Sequence, residues 1–416
     1  MSPRKQYRWM FATVLAGLLT ASWSPLAVAQ TADAVVFWNT TALTVTAPGA
    51  QLPSQSRILA IEHAAIHDAL NAVARRYEPY LFTSVAPVGA SPEAAIAAAA
   101  RDVLVALVPA QLAAIDAAYD SSLAAIPDSG AKTAGIAAGQ AAARAILEVR
   151  ASDGSANANI PYVPGTRPGD YQLTPGVTAA LLPGWGRVRP FTLSHPSQHR
   201  LRGPDRIGSD EYDRDFNEVK ILGSAESSVR TPDQSQTAVF FQEGVLTAWN
   251  RIARSLSVAQ GLDHWEKARL FALLNFAIAD GLIAGWDSKY YYNFWRPVTA
   301  IRLASLDGNG DTQEDPAWSP VFSTPAHPDY PSTNSVNGVA AATVMAQVLG
   351  DRAFSATSTS LPGVTRTYSS FIGYAIEGSQ SRVFAGIHFR KATEDGRLQG
   401  RDVGRSVLRL LRLRTP

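Results

Sequence analysis

"DHWEKARLFALLNFAIADGLIAGWDSKYYYNFW", residues 263–295, is the stretch on which the fold class turns. Its length and apolar content suit either a membrane span or a helix buried in a protein core. Arg269 and Asp280 interrupt the apolar run, and charges are costly in hydrocarbon. The stretch therefore reads as a buried core helix. Helical patterns dominate on both sides of it. "SQSRILAIEHAAIHDALNAVARRY" (54–77) carries Ile58, Ile61, Ala65, Ile66, Leu70 and Val73 at helical spacing. "SPEAAIAAAARDVLVALV" opens on Ser91, Pro92 and Glu93, a cap with proline at the first helical position. Alanine-rich stretches around 110–125 and 131–150 suit close helix approach, and helical pattern resumes at 209–222 and 231–254. No repeat and no strand set is evident, so the expected class is all-α.

Residues 152–206 break this pattern with recurrent Pro, Gly and Arg, as in "PYVPGTRPGDYQLTPG". Such irregular chain either connects domains or wraps a site. The chain has 416 residues, 37 basic and 35 acidic, and no cysteine. Near neutrality gives no electrostatic case for nucleic acid. Without cysteine there are no disulfides, thiolate metal sites or cysteine nucleophiles. Arg4, Lys5 and Arg8, the apolar stretch to Ala21 and the small residues Ala27-Val28-Ala29 predict a signal peptide over 1–29. A single domain is expected over 30–416, with an N-terminal helical half (about 54–250) and a second half (about 260–416). The mature chain is expected to lack a membrane span and to be periplasmic or extracellular; oligomeric assembly is left open.

Three segments bring together groups that bind an oxyanion. In "KYYYNFWRP", Lys289 and Arg296 lie two helical turns apart, and Pro297 ends or kinks the helix. In "HPDYPSTNSVNG" (327–338), Ser332 stands at a helix start whose amides lack intrahelical partners, a place that attracts anions. In "GSQSRVFAGIHFRKATEDG", Arg382 and His388 are too far out of phase for one face of a straight helix, yet can converge with Gly386 between them. Taken singly, a snorkelling cation, an ordinary N-cap and a structural histidine are the plainer readings. Together, these groups neutralise an oxyanion, hydrogen-bond its oxygens and reach its central atom.

In order along the chain, Lys-x6-Arg-Pro, Pro-Ser-x-x and Ser-Arg-x5-His resemble the three-part signature of vanadium-dependent haloperoxidases and type 2 phosphatidic-acid phosphatases. "AAIHDALNAV", "WDSKYYYNFWRPVTAIR", "TPAHPDYPS" and "SRVFAGIHFR" resemble the bacterial haloperoxidase-like branch. The resemblance is strong over about 280–400 and looser from about 54 to 280. It implies helical bundles with the oxyanion pocket at helix ends. Lys289, Arg296 and Arg382 would bind the oxygens of vanadate or phosphate, with Ser332 and the Thr333 amide adding hydrogen bonds. His388 would be the axial vanadium ligand, or the nucleophile of a phosphatase. The implied reaction is oxidation of halide by hydrogen peroxide, bromide or iodide before chloride, with an organic acceptor downstream. The alternatives are acid phosphatase action on a phosphate ester through a phosphohistidine, and non-enzymatic oxyanion binding.

Where the family reads Pro-Ser-Gly-His, this chain has Pro-Ser-Thr-Asn at 331–334. The family histidine is the general acid–base, and the Asn334 amide cannot exchange a proton near neutral pH. His327 matches a second histidine of the family's bromoperoxidases and is expected to take that role, with Asn334 as a hydrogen-bond donor. Three further features are weighed. His63 and His67, flanked by Glu62 and Asp68, have a zinc-compatible spacing but no evident third ligand, which favours helix core. "DGNGDTQEDP" begins like a calcium loop with Asp307, Asn309 and Asp311 (307–315), although Thr312 replaces the turn glycine, which favours a solvated loop. The arginine-rich "GRSVLRLLRLR" reads as an amphipathic packing helix. Asp280 and Asp287 are either partners of the cations or ordinary polar positions.

Overall fold

The computed structural model describes residues 33–49 and 51–413; the expected signal segment lies outside them. The central apolar stretch forms one helix, α9 (His264–Tyr292), started by a capping box. Asp263 accepts from the amides of Trp265 and Glu266, while the Glu266 carboxylate accepts from the Asp263 amide at 2.9 Å. The helix is buried nearly all round, as its unbroken apolar composition requires. It is the one described helix of 18 residues or more that is apolar enough to cross a membrane, and it lies inside the protein. Its interrupting charges have partners. Asp280 accepts from the amides of Phe191 (2.7 Å) and Thr192 (2.8 Å) and from the Thr192 hydroxyl, and Arg269 donates to the Leu411 carbonyl.

Around α9 stand α1 (Ala34–Thr46), α2 (Leu52–Val73), α3 (Pro92–Leu107), α4 (Leu112–Ala124), α5 (Gly130–Arg150), α6 (Asp210–Leu222), α7 (Pro232–Phe240), α8 (Val245–Ala259), α10 (Pro297–Arg302), α11 (Thr333–Leu349), α12 (Phe371–Phe384) and α13 (Arg390–Val407). The only described sheet is the hairpin of β1 (Phe354–Thr357) and β2 (Thr365–Tyr368), so the class is all-α as read. α2, α3 and α5 pack on one another, and α2 also packs on α9. On its other side α9 meets α11, which is clasped by α12 and α13. The described chain from Asp33 onward is one packed unit in which α9 serves both bundles.

The cap read at Ser91 holds, its hydroxyl accepting from the Ala94 amide; Ser209, not singled out by sequence, likewise accepts from that of Tyr212. Three boundaries differ from expectation. The pattern over 231–254 is two helices, because the chain turns at Gln242–Gly244. The helix through Lys289 ends at Tyr292 on a left-handed Asn293 (φ 50°), so Arg296 caps the next helix, with Pro297 at its first position. The arginine-rich end is helical only as far as Val407.

The irregular region wraps rather than divides. Besides the Asp280 anchor, Arg200 grips Asp287 through two bonds of 2.7 and 2.9 Å. The Tyr171 amide donates to Asn293 O, and the Leu181 amide to Ala326 O. It thus braces the segments that carry Lys289, Arg296 and His327. Asp280 and Asp287 both hold this wrapping chain and neither bonds the cations of the site, which resolves the choice left open by sequence.

Candidate oxyanion site

Four elements end at one place: the last turn of α9, the start of α10, the start of α11 and the turn after α12. Lys289 is fully buried and donates only to main-chain carbonyls, Pro328 O at 2.7 Å and Asp329 O at 2.8 Å. Arg296, also fully buried, donates through Nε to His327 O (2.8 Å) and through Nη1 to Ile387 O (2.6 Å). Its remaining contacts run from Nη2 to His327 Nδ1 at 2.9 Å and from Nη1 to His388 Nε2 at 3.1 Å. The end of α9 therefore does bring Lys289 and Arg296 together, but across a helix break rather than along one face.

Burial leaves both imidazoles neutral. Desolvation, reinforced by Lys289 and Arg296, pushes His327 and His388 well below the ordinary histidine range. A neutral imidazole accepts at one nitrogen, which fits the guanidinium placed at each ring. His327 also packs against Trp286, with ring centroids 4.8 Å apart. Burial likewise pushes the Lys289 ammonium far down, with Arg296 adding to the effect.

Gly386 makes the turn from Arg382 to His388. Its φ is +77°, and a Cβ there would lie 2.2 Å from the Gly223 carbonyl oxygen. Arg382 occupies the last turn of α12, and its Nη2 donates to Phe241 O at 2.5 Å. Burial lowers it to about 10. Its charge acts on His388, but it makes no hydrogen bond to Lys289, Arg296 or either histidine.

The start of α11 is built as the sequence predicts, with one difference. Ser332 occupies the N-cap position, yet its hydroxyl makes no cap bond and is buried without a partner. The first helical amide bond is from Val336 to Ser332 O, leaving the amides of Thr333, Asn334 and Ser335 free. The Thr333 side chain packs over Gly285 of α9. Asn334 is half-buried and lines a narrow cavity with Phe241, Glu243, Trp249 and Tyr374.

Two polar groups here escaped the sequence reading. Asp329 Oδ1 stands 2.8 Å from His388 Nδ1 and 3.9 Å from Arg296 Nη1. Burial raises this carboxyl to about 7, against the pull of Arg296 and Lys289. The two atoms are close, but their geometry makes no hydrogen bond, so Asp329 acts on His388 by proximity and charge. Glu243 is the second. The only cue to Asp329 in the sequence is its place two residues after His327.

The discounted features remain outside the site. His63 Nε2 lies 2.8 Å from the Asn39 amide within the core, and Asp68 accepts from the amides of Tyr80, Leu81 and Phe82. In the 307–315 loop, Asp307 accepts from the Asn309 amide and the Thr312 hydroxyl, and Asn309 from the Asp311 amide. Among the described residues no three His, Asp or Glu side chains are grouped to hold a metal ion.

Buried cations, a free hydroxyl and free helix-start amides gathered at one point are the donor set that an oxyanion requires. Residues 269–414 match the model of the VCPO second helical-bundle domain. Vanadium chloroperoxidase of Curvularia inaequalis is 27% identical over 176 residues, which cover 34% of this chain and 28% of that enzyme. The crystal structure of a bacterial vanadium-dependent iodoperoxidase superposes with a TM-score of 0.81 at 24% identity, covering 92% of this chain and 97% of that one. A bacterial vanadium-dependent chloroperoxidase in its apo form gives 0.70 at 17% identity, covering 86% and 93%. The chain thus has the fold of these vanadium-dependent haloperoxidases, and its residues 269–414 are similar to their second helical bundle. The matched portion spans well under a third of the Curvularia enzyme.

Proposed function

We propose that this chain is an exported, vanadate-dependent haloperoxidase-like enzyme that oxidises bromide or iodide with hydrogen peroxide. The observation that carries the reading is charge. Lys289, Arg296 and Arg382 are buried together, while the nearest carboxylate, Asp329, is itself pushed up to about 7. Buried cations held mainly by carbonyls are costly unless an anion joins them. The unpartnered Ser332 hydroxyl and the free amide of Thr333 supply donors for its oxygens. These residues would hold vanadate, with His388 Nε2, which here pairs with Arg296 Nη1, as its histidine ligand. When bound, vanadate supplies a Lewis acid that activates peroxide toward halide without changing its own oxidation state.

Around it, the three cations would neutralise charge, and Asp329 stands beside His388 Nδ1. His327 serves as the acid–base group once the anion offsets the cations beside it, and Asn334 donates a hydrogen bond. Heavier halides suit a site with an amide at 334, because they are oxidised more easily and demand less proton assistance. Export rests on the basic, apolar and small-residue order of residues 1–29. A second reading, phosphoryl transfer to His388, is favoured by the Asp329–His388 contact, which would orient a nucleophilic imidazole.

One assay separates these readings. Purified protein with added vanadate should oxidise bromide or iodide with peroxide, and should lose that activity on vanadate removal. Aryl-phosphate hydrolysis inhibited by vanadate would replace the proposal with the phosphatase reading, and tight vanadate binding without either activity would leave only oxyanion binding. His388→Ala should abolish the oxidation and His327→Ala should reduce it about 10²-fold or more; full activity in His327→Ala overturns that residue's role.

A further inference from the structure

The turn between α7 and α8 carries a buried carboxylate that the functions assigned above do not use. Phe241 is held at its carbonyl by Arg382 and at its ring by Tyr374, with centroids 4.9 Å apart. Two residues on, the Glu243 side chain is only 4% exposed. Its Oε2 accepts from Arg251 Nη2 at 2.5 Å, and Arg251 is fixed in turn by the Thr357 carbonyl and hydroxyl. Its other oxygen, Oε1, is buried and has no partner. Glu243 and Asn334 line the same cavity, about 20 Å³ and walled by Phe241, Trp249 and Tyr374. That volume holds about one water-sized molecule. Hydrogen peroxide is only somewhat larger than water and brings two O–H donors. A lone carboxylate oxygen in a narrow, mostly apolar cavity is a strong acceptor for such a donor.

Resting on the haloperoxidase reading, we propose that Glu243 is a catalytic residue that binds hydrogen peroxide in this cavity and carries its proton. Glu243 Oε1 accepts one peroxide O–H while the Asn334 amide donates to the other end. As peroxide engages the oxyanion site, its O–H bond breaks and a carboxyl O–H bond forms on Glu243. The halide then gives up two electrons and the O–O bond is cleaved. One oxygen leaves as hypohalous acid. The other leaves as water, taking the Glu243 proton together with one from solvent. His327, bonded to Arg296 and packed on Trp286, does not line this cavity, so Glu243 acts apart from it. Arg251 and Tyr374 are the ionisable groups that face Glu243.

The test uses the full chain loaded with vanadate, comparing wild type, E243Q and E243D. E243Q preserves shape and the bond to Arg251, so its melting temperature and its vanadate affinity, read by titration, should match wild type. Its kcat/KM for peroxide should fall about 10²-fold, and E243D should recover part of the loss. An E243Q enzyme within twofold of wild type overturns the proposal, as does a loss explained by weakened vanadate binding. Wild-type protein without vanadate-dependent halide oxidation overturns the haloperoxidase reading itself, and this proposal with it.

Discussion

The carboxylate beside His388 belongs to a residue that no spacing rule would select. Asp329 reaches it at 2.8 Å from a loop whose main chain also supplies both acceptors for Lys289. Outer partners of a ligating histidine set its tautomer and basicity, and their loss typically costs about 10–100-fold in affinity. Asp329→Asn keeps the shape but removes the carboxylate, so vanadate affinity should fall by about that factor while the helical circular dichroism is retained. Unchanged affinity in a vanadate titration would reduce Asp329 to a packing role. Lys289, Arg296, Ser332, Arg382 and His388 were legible because they sit in motifs tied to helix ends. Asp329 and Glu243 were not, because a carboxylate in a turn has meaning only once its neighbours in space are known.

Helix ends place the site, and close helix approach holds those ends in position. On α13, Gly396, Gly400 and Gly404 recur every four residues and face α11. A Cβ on Gly400 would lie 2.2 Å from the Val336 carbonyl oxygen, and one on Gly396 would lie 2.7 Å from that of Ser332. Gly400→Ala should therefore destabilise the fold by about 1–3 kcal/mol despite alanine's better helix propensity, a change measurable in urea unfolding. A neutral or stabilising result would show that α13 can shift without cost. The sequence placed most helices but missed the breaks at Asn293 and Gln242–Gly244. Apolar periodicity runs through both breaks, and at each the chain turns to meet packing partners distant in sequence.

Across the whole molecule, ion pairs tie the N-terminal bundle to the central helix. His264, at the first turn of α9, lies 3.3 Å from Asp33 and 3.5 Å from Glu93, and Lys267 lies 3.1 Å from Asp33. The Asp33 and Glu93 carboxylates push His264 up to about 9 from 6.5. The His264 hydrogen bond leads in bringing Glu93 down to about 2; Asp33 reaches about 2 because bonds from His264, Val36 and Lys267 outweigh its burial. A raised histidine contributes stability that is complete below pH 6.5 and lost as pH rises through about 9. The depressed carboxylates contribute above their ordinary values of 3.8 and 4.5, and that stability is lost as pH falls toward about 2. Urea unfolding at pH 6.5 and 9.5 should show a larger drop for wild type than for His264→Gln; equal drops would mean that the cluster contributes nothing.

Composition and local pattern by themselves determined an all-α chain whose longest apolar stretch is core, together with the types and order of the groups proposed to bind an oxyanion. Those features follow from helical periodicity, capping chemistry and charge, which are properties of short segments. Only the tertiary structure decided that Lys289 and Arg296 meet across a helix break, that Asp280 and Asp287 brace the wrapping chain, and that Asp329 and Glu243 stand beside the pocket. Burial is the physical reason. It turns Ser332 from a helix cap into a free donor, holds both histidines neutral, and leaves buried cations that an anion can satisfy.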